Sequence, residues 1–191
     1  KIDGQDAELT QREFVGYLTL VLGVYPESED LSNAELIKIE AAARNTGLLL
    51  RDYNPTAVIT LNEAVKICMQ AANYLQYELF VNGNALGIYS KAYTQGIYRG
   101  IDRTKETVTA DTALVLIRNL MDADYLCYVN DGTNTYKVET NKKTVLENYR
   151  GIHYVEGIFN ANSNTGLTDE DGAVGENKIK IDGVIYETEC N

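Results

Sequence analysis

The fold of this chain is decided by a segment that occurs three times: Leu9-Thr10-Gln11-Arg12-Glu13-Phe14, Ile59-Thr60-Leu61-Asn62-Glu63-Ala64 and Val108-Thr109-Ala110-Asp111-Thr112-Ala113. The threonines are separated by 50 and then by 49 residues. Self-similarity at a fixed period is the sequence signature of a repeat architecture, in which each copy is one supersecondary unit. The sequence therefore predicts three related units in the first two-thirds of the chain.

Each repeated threonine is predicted to begin a helix. Its hydroxyl can accept a hydrogen bond from the unpaired backbone N–H groups of the first turn. In the first two copies Glu13 and Glu63 follow three residues later and complete a capping box, whereas Thr112 takes that position in the third copy. Apolar residues at helical spacing follow each cap, which predicts three amphipathic core helices, the third with a weaker start.

A second helix is predicted before the second and third caps. The first of these begins at the capping box Ser32-Asn33-Ala34-Glu35 and ends at Gly47, where glycine suits a left-handed C-terminal residue. Its counterpart runs from about Asn84 to Gly96. From each of these glycines to the next capping threonine is a step of 13 residues, so both copies keep the same register.

The first copy differs because only the eight residues Lys1 to Glu8 precede its threonine. The first repeat is therefore expected to be incomplete. Its leading helix is either supplied by residues upstream of Lys1 or natively absent.

The order of helix, glycine, loop, threonine and helix over residues 8–124 resembles the S-layer homology motif of bacterial cell-surface proteins. In that family three repeats form a pseudo-threefold helical domain that attaches exported proteins to a secondary cell-wall polysaccharide. The resemblance implies an α+β chain, with a mainly α-helical, pseudo-threefold bundle in residues 1–124 and a small β-rich domain in residues 125–191. It also implies a secreted, non-enzymatic structural or attachment module of the cell wall or cell surface.

The family's second helix usually opens Thr-Arg-Ala-Glu, with the arginine facing the grooves that hold a pyruvylated sugar. The matching glycan-motif positions and loop glycines of this chain are Thr10, Gln11 and Glu13, Thr60, Leu61 and Glu63, Thr109 and Ala110, and Gly47 and Gly96. At the arginine position stand Gln11, Leu61 and Ala110, none of which can make the charge-assisted, bidentate contact of arginine with a carboxylate. The remaining threonines and glutamates are interpreted first as helix caps.

Two functions with different partners remain open. The repeats either attach the protein to the secondary cell-wall polysaccharide, or form a degenerate domain that acts as a protein-interaction or surface-assembly scaffold without glycan binding. The partners in the second case are other surface-layer proteins.

Charge and composition argue against other classes of partner. The chain has 191 residues, a formal net charge of −11 and 45% hydrophobic residues. The hydrophobic content supports a packed core, and the negative field opposes binding to nucleic acid. The longest apolar stretch, Tyr17–Tyr25, is too short to cross a bilayer, so no membrane span is expected.

No metal, cofactor or catalytic site is predicted. Cys68, Cys127 and Cys190 lack metal-ligand spacing, and pairing of Cys127 with Cys190 is left open. The run Asp169-Glu170-Asp171-Gly172 lacks the alternating ligands of an EF-hand loop and is interpreted as a solvated loop. His153 stands alone in a strand pattern, and the sequence contains no nucleophile elbow, P-loop or dinucleotide fingerprint.

Beyond Asp124 the helical period gives way to β-branched, aromatic and turn-forming residues. Strands are predicted at residues 125–129, 135–139 and 152–161, with one or two helical turns at residues 144–150. The clearest feature is a hairpin in which Asp182-Gly183 joins strands 177–181 and 184–187, because both residues of such a turn must tolerate positive φ. Further residues beyond Asn191 are expected to complete this β-rich domain.

Overall fold

The structure, a computed structural model, describes residues 7–27, 32–77, 86–130, 136–139, 143–152, 155–167 and 172–187. The chain divides into two compact units, Lys1–Ile152 and His153–Asn191. Helices dominate the first unit and an antiparallel sheet forms the second, so the chain belongs to the predicted mixed α+β class.

The helices and strands of the first unit follow the predicted order. They are α1 (Gln11–Val21), α2 (Asn33–Asn45), α3 (Leu61–Ala71), α4 (Gly87–Thr94), α5 (Ala110–Met121), β1 (Cys127–Asn130), β2 (Tyr136–Glu139) and α6 (Val145–Arg150). Helices α1, α3 and α5 each begin directly after the repeated threonine, as the capping pattern predicts. Strands β1 and β2 pair in an antiparallel arrangement.

The three threonine-capped helices form the centre of the first unit. Helices α1, α3 and α5 each contact the other two. Their apolar stripes supply fully buried side chains such as Phe14, Ile67 and Leu116. Burying a side chain of this size contributes about 1.5–3 kcal/mol, so this shared core is a major source of the unit's stability. The prediction that the three helices converge is confirmed.

A closed ring of backbone hydrogen bonds joins the three repeats just before these helices begin. The N–H of Leu9 donates to the carbonyl of Val108 at 2.9 Å, that of Ile59 to Leu9 at 2.9 Å, and that of Val108 to Ile59 at 3.2 Å. The three residues occupy the same place in the repeat, and their side chains are buried. Each repeat is thus tied to both of the others.

The helices that precede the second and third caps, α2 and α4, are each followed by a glycine in the left-handed conformation. Gly47 after α2 has a φ of +74° and Gly96 after α4 has a φ of +75°. A residue with a Cβ adopts this conformation at a cost, which explains glycine at both positions. The predicted helix ends at these two positions are confirmed.

The boundary between the two units does not coincide with the predicted boundary after Asp124. The N–H of Leu126 donates to the carbonyl of Ala72 at 3.0 Å, and the side chains of Leu126 and Val145 are buried in the helical core. The hydroxyl of Tyr149 also donates to the carbonyl of Ala71 at 3.2 Å. The composition changes at residue 124, but the packing of the helical unit extends to Ile152 because these apolar side chains join its core.

The second unit contains a three-stranded antiparallel sheet of order β3 (Phe159–Ala161), β4 (Lys178–Ile181) and β5 (Val184–Glu187). Asp182 and Gly183, with φ of +48° and +81°, connect β4 to β5, which confirms the predicted hairpin. Strand β3 is shorter than the predicted strand 152–161. The Asp182 carboxylate accepts a hydrogen bond from the Ile158 N–H at 3.0 Å, so that group pairs with a turn side chain.

Within the described residues, every helix is too short or too polar to span a bilayer. The same part of the chain contains no cluster of three or more His, Cys, Asp or Glu residues placed to hold a metal ion.

Candidate functional site

The glycan-motif threonines and glutamates of the first two repeats form complete capping boxes. The Glu13 N–H donates to the Thr10 hydroxyl at 3.3 Å, and the Thr10 N–H donates to the Glu13 carboxylate at 2.8 Å. In the second repeat the corresponding distances between Thr60 and Glu63 are 3.2 and 2.8 Å. These four side chains therefore have a structural role in starting α1 and α3.

The third repeat lacks the reciprocal bond, as its sequence predicts. The Thr112 N–H donates to the Thr109 hydroxyl at 3.4 Å, and the two hydroxyls lie 3.2 Å apart. A threonine side chain is too short to return a bond to the cap's own N–H as a glutamate does. Helix α5 therefore starts with one side-chain cap bond where α1 and α3 start with two.

The three positions that carry arginine in the family motif are buried. Gln11 is 5% exposed, Leu61 is 7% exposed and Ala110 is 3% exposed. These side chains point into the packed unit, where a solvent-borne ligand has little access to them.

Gln11 couples the first repeat to the second. Its amide nitrogen donates to the Glu63 carboxylate at 3.1 Å, and its amide oxygen accepts from the Asn54 N–H at 2.9 Å. The Glu63 carboxylate therefore accepts hydrogen bonds both from the Thr60 N–H at the start of α3 and from the Gln11 side chain of α1. Sequence reasoning treated Gln11 only as a lost arginine and missed this bridge, because partners so far apart in sequence leave no local pattern.

A charged cluster beside α1 was also missed. Arg12 Nε binds Glu40 Oε2 at 2.9 Å, and Arg44 Nη2 binds Glu40 Oε1 at 3.1 Å. The Tyr53 hydroxyl is buried beside this cluster without a well-directed hydrogen bond, and burial, together with the nearby Glu40 carboxylate, raises its pKa to about 12. Glu40 and Arg44 show the helical i,i+4 spacing in the sequence, but the contact of Arg12 with α2 depends on the fold.

The loop between Gly96 and Val108 presents exposed cations on this acidic protein. Arg99, Arg103 and Lys105 are exposed, and the Arg103 guanidinium lies 5.0 Å from the centre of the Tyr98 ring. We call these three residues the cationic loop. An aromatic ring beside exposed cations offers ring area and charge-assisted hydrogen-bond donors, which suit a sugar that carries a carboxylate.

A polar side chain of α5 bonds to the backbone at the start of the cationic loop. The buried Asn119 donates from Nδ2 to the carbonyls of Ile97 at 3.0 Å and Arg99 at 2.8 Å. In the second repeat Gln70, the residue that corresponds to Asn119, donates to the carbonyl of Gly47. In both repeats the side chain at this position of the central helix thus donates to backbone carbonyls at or just after the glycine that follows the preceding helix.

The described cysteines are free thiols. Burial raises the pKa of the Cys68 thiol to about 12, in agreement with its interpretation as a small apolar residue. Cys127 also carries a free thiol, and Cys190 lies outside the described residues. His153 and the acidic run Asp169-Glu170-Asp171 lie outside them as well.

Comparisons of the chain with protein-family models, with curated proteins and with solved structures found no significant match.

Proposed function

We propose that this chain is a non-enzymatic structural module of a bacterial cell surface, with a pseudo-threefold helical bundle of the S-layer homology type. The observation that carries the proposal is the ring formed by Leu9, Ile59 and Val108, because it relates the three repeats by one set of equivalent contacts. The capped central helices and the left-handed glycines Gly47 and Gly96 support the same architecture. Since a fold alone does not define a function, the mode of action depends on the surfaces of the module.

In the first mode of action, the module attaches a secreted protein to a secondary cell-wall polysaccharide. Because the motif positions Gln11, Leu61 and Ala110 are buried, a glycan would contact a different surface from the one that the arginines form in the S-layer homology family. The cationic loop is the surface that we assign to this contact, because Arg99, Arg103 and Lys105 are exposed where an acidic sugar can reach them. The loop also carries the exposed carboxylates of Asp102 and Glu106, so its three cations leave a net charge of +1, which reduces the repulsion between an acidic glycan and a protein of net charge −11 only locally.

The second mode of action is a scaffold that binds other surface-layer proteins and no glycan. The same burial of Gln11, Leu61 and Ala110 favours it, since all three side chains already have a place in the packed unit. In this case the repeats supply shape and stability, and the rest of the surface supplies the contacts.

Co-sedimentation with cell-wall sacculi separates the two modes. The purified chain is mixed with sacculi that retain the secondary polymer and with sacculi from which it has been extracted. The double variant Arg99→Gln/Arg103→Gln removes two exposed cations from the loop. The matched control Arg51→Gln/Arg118→Gln removes the same charge from other exposed positions.

Polymer-dependent binding that the loop variant loses and the control retains supports attachment through the cationic loop. Binding that both variants lose equally indicates only a general charge effect and contradicts this surface. Failure to bind either preparation, together with concentration-dependent self-assembly in sedimentation, supports the scaffold. Absence of both binding and assembly contradicts the surface-module proposal.

A further inference from the structure

The short helix α6 follows the third central helix, α5, just as α2 follows α1 and α4 follows α3. Each central helix is packed by the helix that follows it: α2 packs on α1, α4 on α3 and α6 on α5. Helices α2 and α4 also serve as the leading helices of the next repeat, because each is followed by a left-handed glycine, a loop and the next central helix. Helix α6 likewise ends at a left-handed glycine, Gly151, with a φ of +66°.

The bonds between α6 and α1 involve the same position of the central helix as in the other two repeats, but here the α6 side chain donates and the backbone carbonyl of the central helix accepts. In the second and third repeats, the residue ten positions after the capping threonine bonds to the stretch that follows the leading helix, through Gln70 and Asn119. The residue ten positions after Thr10 is Leu20, and its carbonyl accepts from Arg150 Nη2 at 2.7 Å. Arg150 Nε also donates to the Val21 carbonyl at 2.8 Å.

The surroundings of Arg150 are shaped for this contact. Gly23, just after α1, has a φ of +72°, and a Cβ at this position would lie only 2.8 Å from the Arg150 guanidinium. A side chain on residue 23 would therefore both strain the backbone and displace the arginine. The guanidinium in turn pairs the Val21 carbonyl, one of those at the C-terminal end of a helix, and is a second donor to the Leu20 carbonyl, which also accepts from the Gly23 N–H at 3.0 Å.

We infer that residues 143–151, which we call the strap, supply the leading helix of the first repeat and close the three-repeat unit from its C-terminal side. The strap holds α1 through Arg150 and α3 through the Tyr149 hydroxyl, which donates to the Ala71 carbonyl. Its own start is fixed by a capping box between Thr144 and Glu147.

Of the three leading helices, α2, α4 and the α6 helix of the strap, α6 is the least firmly packed, so the strap opens before the rest of the unit. The hydrophobic residue after the left-handed glycine is 2% exposed at Leu48 and 0% exposed at Ile97, but 53% exposed at Ile152. Helix α6 has six residues, against 13 in α2 and eight in α4. Helix α6 buries one side chain, Val145, against three in α2 and two in α4, and Leu146 and Tyr149 pack only in part against the core, so local opening costs less than global unfolding.

Hydrogen exchange on the full chain tests the strap. In Arg150→Met, the amides of Val145, Asn148 and Gly151 are expected to exchange about 3–10 times faster than in the wild type, because two bonds to a charged donor are lost. The amides of Leu22 and Val24, just after the end of α1, should follow in the same direction. The ring amides of Leu9, Ile59 and Val108 should keep their wild-type rates.

Two further variants keep the test decisive. Arg118→Met removes an exposed arginine from α5 and is the matched control. Arg150→Lys retains the charge without the two-pronged geometry and should give an intermediate rate. The inference is overturned if Arg150→Met accelerates the strap amides no more than Arg118→Met does. It is equally overturned if strap and ring amides accelerate by the same factor, because α6 then opens only with the whole unit.

Discussion

Thr60 and Thr109 occupy the same place in two repeats and hold their helices by different sets of hydrogen bonds. Thr60 takes part in a complete capping box with Glu63, whereas Thr109 accepts one longer bond from Thr112. The difference could be predicted from the sequence, since a capping box depends on residues only three positions apart. The bridge from Gln11 to Glu63 could not, because it depends on how two helices meet.

Replacing these threonines should therefore destabilise the protein to different extents. We expect Thr60→Ala to lower the free energy of unfolding by about 1 kcal/mol, through loss of an N-cap hydroxyl. Thr109→Ala should cost less, because its cap is already incomplete. Urea unfolding of both variants, followed by circular dichroism, measures the difference. The reverse order would show that these threonines do not act mainly as caps.

Buried and half-buried tyrosines predict loss of stability at high pH. Burial is the largest cause that raises the pKa of Tyr53, Tyr74 and Tyr149 to about 12, from an ordinary value of 10. Nearby Glu40 adds to the shift at Tyr53, Asp124 and Cys127 add to it at Tyr74, and Tyr125 adds to it at Tyr149. Since the folded state favours the neutral phenol, this stability is fully present below about pH 10 and is lost as the pH rises towards about 12.

The urea midpoint should therefore fall between about pH 10 and pH 12. Tyr149→Phe should show a smaller fall over the same interval, because one of the shifted phenols has been removed. A fall of the same size in this variant would show that ionisation of Tyr149 is not linked to unfolding.

At the scale of helices and strands, features that depend on nearby residues could be predicted from the sequence, whereas features that depend on tertiary packing could not. The starts of α1, α3 and α5, the ends of α2 and α4 and the β4–β5 hairpin follow from caps, glycines and an Asp-Gly turn. The association of α6 with the helices does not, because the strap is surrounded in sequence by β-forming residues. Composition therefore placed the boundary at residue 124, and the packing of Leu126 and Val145 places it after Ile152.

Gly47 offers a test of how the α2 helix ends. Gly47→Ala should lower the free energy of unfolding by about 1–2 kcal/mol, because the left-handed backbone strains an L-residue. The cost is purely conformational, since an added Cβ would meet no atom within 4 Å. Gly47→Asn should cost less, as Asn73 already adopts a φ of +68° in this chain. Thermal unfolding of the two variants gives the comparison, and equal losses would contradict a backbone origin.

At the scale of the whole molecule, the ring sets this unit apart from an open array of repeats. In an open array each repeat contacts only its neighbours in sequence and can unfold separately. Here the first repeat bonds to the third as well as to the second, through Leu9, Ile59 and Val108. The sequence predicted convergence of the three helices, but the closing hydrogen bonds could be seen only in the fold.

The ring predicts that the central helices unfold together. In hydrogen exchange at rising denaturant, the amides of Leu9, Ile59 and Val108 should converge on one free energy of opening. Ile59→Ala should lower that free energy by about 2–5 kcal/mol at all three amides, because a fully buried side chain is shortened. A loss confined to the amide of Ile59 would show that the repeats open independently.

The bond from Leu9 to Val108 also imposes an order on biosynthesis. A ribosome makes the first repeat long before the third, so Leu9 has no permanent partner until Val108 has been translated. Contacts between such distant residues form late and slowly, because a long loop must close first. The ring therefore cannot close until the stretch just before α5 has been translated, so the first two repeats are made before the hydrogen bond that ties them to the third can form.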